Sequence, residues 1–252
     1  MSNAAQHRFD VALLPAASEP LEGKTVIVVD VLRATTTIIS ALSNGAKEVF
    51  PQPSIEAARA AHQEIGDSSV MGGERQGKIV DGFQHGNSPL EYTEAAIKDK
   101  SLILATTNGT VAMEACRSAD RVLIGAMVNV DAVAEAVYGC ERVCVMCSGT
   151  DRIITSEDVC FAGLLLQRVI EKRAKQGLPE AFLTDAAHIA LDHWMAVETR
   201  VAAGKPLADF FRTARGGVNL VRIGHDADVT FAANIDTFVS VPELNLETWR
   251  IS

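Results

Sequence analysis

Short, nearly continuous apolar runs alternate along this chain with longer segments whose apolar residues recur at helical spacing. The run at residues 26–29, for example, contains only valine and isoleucine. Strands of this composition are buried on both faces, whereas strands with one solvated face alternate apolar and polar residues. The pattern therefore predicts an α/β protein built as a three-layer α/β/α sandwich.

The same pattern gives approximate bounds for the elements. Strands are predicted at 9–14, 25–31, 47–51, 69–72, 101–105, 121–124 and 142–147, with two weaker assignments at 229–231 and 237–241. Helices are predicted at 35–44, 54–66, 89–98, 109–117, 129–138, 156–176, 185–203, 206–212 and 215–223. No Pro-rich, Gly-rich or charged linker interrupts this series, so residues 7–252 are predicted to form one unit.

A strand-turn-helix pattern occurs twice with an offset of 73 residues. The aligned pairs are Thr37 with Thr110, Ala46 with Ala119, and Val49 with Val122. We interpret this as a duplicated module that forms two intertwined lobes. The alternative is that any two βα units look alike at this level of detail. Residues 1–6 include Ser2-Asn3-Ala4, which resembles an expression-vector remnant, and are expected to be tag-like or disordered.

Charge and cysteine content narrow the function. The net charge of −9 disfavours nucleic acid as a partner, because binding to a phosphate backbone requires a basic surface. The five cysteines are odd in number and lie in apolar surroundings, as expected for free thiols in a reducing cytoplasm. No signal peptide or membrane-length apolar run is visible, so we expect a cytoplasmic protein without a membrane partner.

Polar residues follow both copies of the repeated strand. The candidates after the first strand are Asp30, Arg33, Thr35 and Thr36, and those after the second are Thr106, Thr107, Asn108, Gly109 and Thr110. Hydroxyl, amide and backbone N–H donors at a strand-to-helix turn form oxyanion sites in α/β proteins. Asp30 could bind a hard cation such as Mg²⁺ or could cap the next helix.

Three further segments supply candidate groups. The glycine-rich turn at 72–77 contains Glu74, a metal ligand or base, and Arg75, an anion-binding fork, although a plain turn with a surface ion pair also fits. In the segment 85–91, Ser88, Pro89 and Glu91 fit a capping box, which leaves Gly86 and Asn87 for anion binding.

The segment 147–158 contributes Gly149 and Glu157. Thr155 and Asp158 fit a second capping box, so capping explains Asp158 and leaves Glu157 as a metal-ligand candidate. Cys147 and Arg152 are separated by four residues, one fewer than a cysteine phosphatase loop needs, so a packing thiol is favoured over a nucleophile. Leu32 stands where a haloacid-dehalogenase-type phosphatase would need its second aspartate, which disfavours an aspartyl-phosphate mechanism.

Taken together, these motifs resemble the 2-phosphosulfolactate phosphatase family, and the match runs in order over about residues 25–236. The matching motifs are 30–37, Gly73-Glu74-Arg75, Gly82-Phe83, Gly86-Asn87-Ser88-Pro89, 106–110, Cys147-x-Gly149, Glu157-Asp158-x-Cys160-x-Ala162-Gly163 and Gly217-x-x-Leu220-x-x-x-Gly224-x-x-x-Asp228. Ser148, where alanine is expected, and Ala232-Ala233, where a cysteine is common, depart from the family pattern and put the substrate in doubt more than the reaction type.

The resemblance implies a Mg²⁺-dependent phosphatase that converts (2R)-phospho-3-sulfolactate to 3-sulfolactate, a step toward coenzyme M. On the residues themselves we favour a metal-activated water, with Mg²⁺ held by Asp30, Glu74 and Glu157 and the arginines facing the anionic substrate. The alternatives are an enzyme for another small phosphoester, a phosphoryl transferase or isomerase, and a non-catalytic anion-binding module. A homodimer is compatible with the sequence.

Overall fold

The computed structural model describes residues 7–15 and 20–252, so the predicted tag at residues 1–6 lies outside the described part. The strands are β1 (Arg8–Ala12), β2 (Thr25–Val29), β3 (Glu48–Pro51), β4 (Ser69–Arg75), β5 (Lys78–Ile79), β6 (Ser101–Ala105), β7 (Arg121–Gly125), β8 (Arg142–Cys147), β9 (Phe182–Leu183), β10 (Glu243–Asn245) and β11 (Arg250–Ile251). The helices are α1 (Ala34–Ser43), α2 (Ile55–Ile65), α3 (Glu94–Ile97), α4 (Gly109–Glu114), α5 (Val130–Val137), α6 (Ser156–Lys175), α7 (Asp185–Ala202), α8 (Leu207–Thr213), α9 (Arg215–Arg222) and α10 (Asp226–Ala232).

The described strands form one sheet in the order β5-β4-β6-β3-β11-β10-β7-β2-β8-β1-β9. Strands β4, β6 and β3 are parallel to one another, and so are β7, β2, β8, β1 and β9. The hairpin β10–β11 joins these two groups, because β10 pairs antiparallel with β7 and β11 pairs antiparallel with β3.

The two strand-turn-helix segments interpreted as copies of one module interleave in this sheet. The first copy runs from β2 through α1 to β3, and the second runs from β6 through α4 to β7. The first strand of each copy pairs with the last strand of the other, β2 with β7 and β6 with β3. Each parallel group therefore needs strands from both copies. Whether the two groups behave as separate lobes stays a prediction.

Apolar side chains cover both faces of the central strands. Val26, Ile27, Val28 and Val29 are fully buried. Ile27 and Val29 pack in a cluster with α5, α6 and α7, whereas Val26 and Val28 pack on the opposite face with α1 and α4. Successive residues of a strand point to opposite faces, so each face holds its own helix layer. This arrangement confirms the predicted α/β sandwich.

Most predicted elements are present, but the two weak strand assignments are wrong. Residues 229–231 lie in α10, because Val229 and Ala232 are three residues apart and both pack into the core on one helical face. Residues 237–241 form no strand of the sheet, and Val239 is 92% exposed. The C-terminal strands are β10 and β11 instead. The short strands β5 and β9 were not predicted.

The helix predicted at 89–98 is also wrong as one element. The segment contains a 3₁₀ turn at Pro89–Glu91 and then α3, separated by Tyr92 and Thr93. The ring of Tyr92 is fully buried, and its hydroxyl donates a hydrogen bond of 2.6 Å to the carbonyl of Gly86. This anchoring holds Tyr92 at non-helical backbone angles, which interrupts the helix. None of the helices described is both long and apolar enough to cross a bilayer.

Candidate active site at the strand ends

Four strand ends carry the polar residues predicted from the sequence. These are the ends of β2, β4, β6 and β8, and the turns after β2 and β6 lie against each other. A Cβ atom placed on Gly109 would lie 3.1 Å from Asp30 Oδ2 and only 2.5 Å from Ala34 Cβ. Glycine is therefore required for this close approach. The structure thus brings the two repeated turns to one place.

The turn after β2 fixes Asp30 by local hydrogen bonds. The backbone N–H of Asp30 donates to Thr35 Oγ1 at 3.0 Å, and the same hydroxyl donates to the carbonyl of Asp30 at 2.9 Å. Thr36 Oγ1 donates to the carbonyl of Val31 at 2.8 Å. Thr35 and Thr36 were predicted to contact the substrate, but in the structure their hydroxyls hold the backbone of the turn.

Arg33 precedes α1 and is buried, with 4% of its surface exposed. Its Nη1 donates to Asp228 Oδ2 at 2.6 Å, and its Nη2 donates to the carbonyl of Gly77 at 3.3 Å. The Leu32–Arg33 peptide bond is cis. A guanidinium has five N–H donors, so the fork keeps N–H groups beyond these two contacts.

Glu74, at the end of β4, joins two turns. Its Oε2 accepts a hydrogen bond from the N–H of Gly77 at 2.8 Å. Its Oε1 accepts from both the N–H of Thr107, at 2.9 Å, and the hydroxyl of Thr107, at 2.8 Å. Each oxygen of the predicted metal ligand thus already has a protein donor. The carboxylate positions the turn after β6 against the turn after β4.

Arg75 differs from Arg33 in that it has no carboxylate partner in the described part of the chain. Its Nη1 donates to the carbonyls of Glu74, at 2.7 Å, and Ala105, at 3.4 Å. The side chain is half-buried above the end of β6. This arginine has a full positive charge to offer an anion, whereas the charge of Arg33 is offset by Asp228.

The remaining residues of the turn after β6 are held by short contacts. Thr106 Oγ1 and Thr110 Oγ1 lie 3.3 Å apart, and the N–H of Thr110 donates to Thr106 Oγ1 at 3.3 Å. Asn108 Oδ1 accepts from the N–H of Asp151, at 3.3 Å, in the loop after β8. The predicted donors are present at the site, but these contacts place them in the framework of the turn.

Asp158 links the ends of β2 and β8. Its carboxylate accepts hydrogen bonds from the N–H of Val31 at 2.9 Å, the N–H of Gly149 at 3.0 Å, and the hydroxyl of Thr155 at 3.1 Å. Gly149 has a φ of +64°, a conformation that glycine adopts without strain. The predicted capping box of Thr155 and Asp158 is wrong, because the carboxylate binds these distant strand-end amides instead of the first turn of α6.

In the segment before α3, the predicted cap at Ser88 is present but the predicted capping box with Glu91 is not. Ser88 caps its 3₁₀ turn as predicted, accepting from the N–H of Leu90 at 3.3 Å. Glu91 does not close the predicted box on Ser88, and its carboxylate accepts from the N–H of Gly86 at 2.5 Å. The amide of Gly86 is therefore already engaged, which leaves that predicted anion contact without support. The carbonyl of Asn87 accepts from Thr37 Oγ1 at 2.9 Å.

Three buried polar side-chain atoms at these loops have no hydrogen-bond partner in the described structure. They are Asn87 Oδ1, Ser148 Oγ and Glu157 Oε2. Buried polar groups are normally paired, and exceptions are frequent where a ligand, ion or water completes the contacts. All three come from segments selected in the sequence as candidate sites. This pattern favours a bound polar ligand at this place.

Burial and mutual repulsion perturb three carboxyl groups here. Burial, followed by the neighbouring Asp158, raises the pKa of Asp30 to about 8. Burial and Asp158 also raise the pKa of Glu157 to about 8, with a further contribution from Asp30. Burial raises the pKa of Asp158 itself to about 6, opposed by its bonds to Val31 and Gly149. A nearby cation would favour the ionised forms.

The described acidic side chains do not form a preformed metal site. Within residues 7–15 and 20–252, no three His, Cys, Asp or Glu side chains come together as a metal site. The predicted ligands Asp30, Glu74 and Glu157 therefore do not form one set. Asp30 and Glu157 nonetheless offer the hard oxygen donors that Mg²⁺ prefers, and one oxygen of Glu157 is buried and unpartnered.

Cys147 is buried at the end of β8, and burial raises the pKa of its thiol well above the ordinary value. A thiol that stays protonated is a poor nucleophile. The environment thus agrees with the interpretation of Cys147 as a packing residue.

Comparison with known proteins places the chain in a family. The sequence model of 2-phosphosulpholactate phosphatase matches residues 13–247, nearly the whole chain. The chain belongs to the 2-phosphosulfolactate phosphatase family. The similarity to individual family members extends over the full fold. A protein named probable 2-phosphosulfolactate phosphatase from Carboxydothermus hydrogenoformans is 34% identical over 245 residues, covering 97% of this chain and 96% of that protein.

Two further 2-phosphosulfolactate phosphatase relatives carry the same name. The one from Symbiobacterium thermophilum is 37% identical over 231 residues, which are 91% of this chain and 94% of the relative. The one from Thermotoga maritima is 36% identical over 236 residues, which are 93% of this chain and 94% of the relative. The family recognised from the ordered motifs is thereby confirmed.

Sequence reasoning missed two carboxylates that organise this site. Asp158 was assigned to helix capping, because Thr-x-x-Asp at a helix start has a sufficient local explanation. Asp228 appeared in the C-terminal motif without a role, and its partner Arg33 lies 195 residues away. Its position in a family motif was the one available signal.

Proposed function

We propose that this chain is a Mg²⁺-dependent phosphatase that hydrolyses (2R)-2-phospho-3-sulfolactate to 3-sulfolactate and phosphate. Family membership supports the reaction class. The observation that carries the assignment to this site is that a buried arginine and a buried carboxyl group after β2 lie near two buried carboxyl groups in the first turn of α6, with the pKa values of all three carboxyl groups raised. Such groups concentrate at catalytic sites far more than elsewhere in a protein.

The charge balance supports a metal ion as part of the proposal. Among the described residues, Asp30, Glu157 and Asp158 form no ion pair, although the charge of Arg33 partly opposes the rise in the pKa of Asp30. The substrate is itself strongly anionic. Mg²⁺ commonly binds through one or two carboxylates together with waters and substrate phosphate oxygens. We therefore assign Asp30 and Glu157 as the protein ligands and assign Glu74 to the positioning of the turns. When bound, Mg²⁺ would offset the phosphate charge and polarise the phosphoryl oxygens.

The chain's own residues supply the remaining contacts. Arg33, held in place from one side, binds the transferring phosphoryl group through its remaining N–H groups. Arg75 has no carboxylate partner among the described residues and binds the sulfonate or carboxylate of the substrate. The unpartnered Asn87 Oδ1 and Ser148 Oγ lie at the loops that line the site and would orient the substrate or an attacking water.

Phosphate release measurements test this function. The chain should release phosphate from phosphosulfolactate in the presence of Mg²⁺, and a chelator should abolish turnover until Mg²⁺ is restored. Phosphoglycerate-type esters, which lack the sulfonate, serve as matched substrates and should react more slowly. Full turnover with Mg²⁺ removed would contradict the metal assignment, whereas equal rates on all esters would contradict the substrate assignment.

The cellular context follows as part of the same proposal. Cys116, Cys140, Cys147 and Cys160 are free thiols, which is compatible with the cytoplasm as the compartment. The reaction would then contribute to coenzyme M synthesis. The homodimer stays a prediction, to be tested by light scattering.

A further inference from the structure

The carboxylate of Asp228 contacts residues from distant parts of the chain. It lies on the short helix α10 and is buried, with 2% of its surface exposed. Its Oδ2 accepts from Arg33 Nη1 at 2.6 Å and lies 3.2 Å from His225 Nδ1. Its Oδ1 accepts from Ser88 Oγ at 2.6 Å. One carboxylate thus contacts residues before α1, before α3 and before α10.

We propose that Asp228 is a positioning residue for the phosphatase reaction, acting through Arg33. This inference rests on the proposed function, since it assumes that Arg33 binds the phosphoryl group. Among the described residues, Asp228 is the sole carboxylate paired with Arg33. A buried guanidinium without its carboxylate would be left with an uncompensated charge and would reorient. Asp228 therefore fixes the direction in which the remaining N–H groups of Arg33 face.

The second carboxylate oxygen of Asp228 holds the loop that contains Ser88. Ser88 directly follows Asn87, whose Oδ1 is buried and unpartnered. By holding the Ser88 hydroxyl, Asp228 keeps the Asn87 side chain at a fixed distance from Arg33. The carboxylate thereby sets the relative position of two groups assigned to the substrate, and it needs no contact with the substrate itself.

A double-mutant cycle between Arg33 and Asp228 tests the proposal. Asp228→Asn keeps the shape of the side chain but removes its charge. In the parent background it should lower kcat/KM by about 10- to 100-fold. In the Arg33→Ala background the same substitution should lower kcat/KM by less than about threefold, because the group that Asp228 orients is already absent. A purely structural role would lower activity equally in both backgrounds.

Asp226 provides a matched control on the same helix. It is exposed and pairs with Arg212 at the surface, away from the strand ends. Asp226→Asn should leave kcat/KM within about twofold of the parent. Thermal melting of each variant separates lost positioning from lost folding. If Asp228→Asn fails to fold, Ser88→Ala replaces it, because that change frees one oxygen of Asp228, and its smaller loss should show the same coupling to Arg33.

A crystal structure of Asp228→Asn supplies a readout that does not depend on turnover. We expect the Arg33 guanidinium to leave the carbonyl of Gly77 in the variant. An unmoved guanidinium, or additive losses in the cycle, would overturn the positioning role while leaving the phosphatase assignment intact. A parent protein that does not hydrolyse phosphosulfolactate, combined with a displaced Arg33 in the variant, would contradict the proposed function while supporting the orientation of Arg33 by Asp228.

Discussion

The two repeated turns each lead from a strand into a helix but differ in chemistry. The turn after β2, residues 30–36, contains Asp30 and Arg33 and is here called the charged turn. The turn after β6, residues 106–110, contains no ionisable residue and is called the neutral turn. The charged turn holds its own backbone through Thr35 and Thr36. The neutral turn has its own contact between Thr106 and Thr110, and in addition Glu74 binds Thr107 and the N–H of Asp151 donates to Asn108.

The difference between the charged turn and the neutral turn indicates that they contribute differently to the site. The charged turn is also held by Asp158, which accepts from the N–H of Val31, and by Asp228, which accepts from Arg33, so its charged groups keep fixed positions. A turn without charge can approach the carboxylate of the charged turn closely, as Gly109 approaches Asp30. The charged turn would therefore supply the chemistry and the neutral turn the shape of the site. The following experiments test this division.

The largest effect is expected for the charged turn. Asp30→Asn should reduce kcat by on the order of 100- to 1,000-fold, because it removes an anionic metal ligand while keeping the side-chain shape. Raising Mg²⁺ should partly restore phosphate release. Thr107→Val in the neutral turn is the counterpart and should cost far less. Equal losses in the two variants would contradict the division between the turns.

Arg33→Lys should follow in magnitude. Lysine keeps the positive charge but loses the planar fork, and the loss of a charge-assisted contact costs about 2–3 kcal/mol, or roughly 30- to 150-fold in kcat/KM. Added Mg²⁺ should not restore this loss, in contrast to Asp30→Asn. The control is Arg212→Lys, which changes a surface ion pair. An identical Mg²⁺ response of the Asp30 and Arg33 variants would indicate that this pair is structural.

Glu74→Gln tests the hydrogen bonds that hold the neutral turn. Glutamine keeps one acceptor oxygen, so one of the two connections that Glu74 makes, to Gly77 or to Thr107, should weaken. We expect a rise in KM of about tenfold with a smaller change in kcat, consistent with the loss of about 1.5 kcal/mol. Glu64→Gln, on the exposed face of α2, is the control. A collapse of kcat with the KM unchanged would instead support Glu74 as a metal ligand.

The smallest effect concerns stability and its pH dependence. The pKa of Asp30 is raised from 3.8 to about 8 in the folded protein by burial. Between these values the folded state retains a proton that the unfolded state releases, so stability falls as the pH rises across this window. In chelator, Asp30→Asn should therefore be more stable than the parent at pH 8, by on the order of 2 kcal/mol or about 4–8 °C in Tm.

Melting curves at pH 5 and pH 8 check the sign. The advantage of Asp30→Asn should be small at pH 5 and should grow toward pH 8. Mg²⁺ should narrow it, because bound cation stabilises the ionised parent. A variant that is less stable than the parent at pH 8 without metal would show that the carboxylate supports the fold.

The local sequence predicted what depends on local forces. Buried strands such as residues 26–29 follow from unbroken apolar runs, and Ser88 follows from its place before a proline. The positions of Asp30, Glu74 and the neutral turn were predictable because polar residues follow strands in α/β proteins. What could not be predicted were partners distant in the chain, such as Asp228 for Arg33 and Glu74 for Thr107.

The wrong strand assignment has a physical origin. Residues 229–231 have high strand propensity, but packing of Val229 and Ala232 against the core requires a helix. Substrate binding by Thr35 and Thr36 stays a prediction, and in the structure both hydroxyls donate to backbone carbonyls of their own turn. Composition indicates what a side chain can bind, whereas the fold decides which partner reaches it.

The hairpin of β10 and β11 has a consequence for biosynthesis. These last strands are the connection between the two parallel groups, so β3 and β7 each lack one neighbour until residue 251 has left the ribosome. At a translation rate of 5–20 residues per second, this interval lasts roughly 10–40 s for β3 and roughly 6–25 s for β7. Unpaired apolar strand edges are sites of aggregation. The nascent chain should therefore depend on ribosome-associated chaperones, and slower growth at low temperature should raise the yield of folded protein.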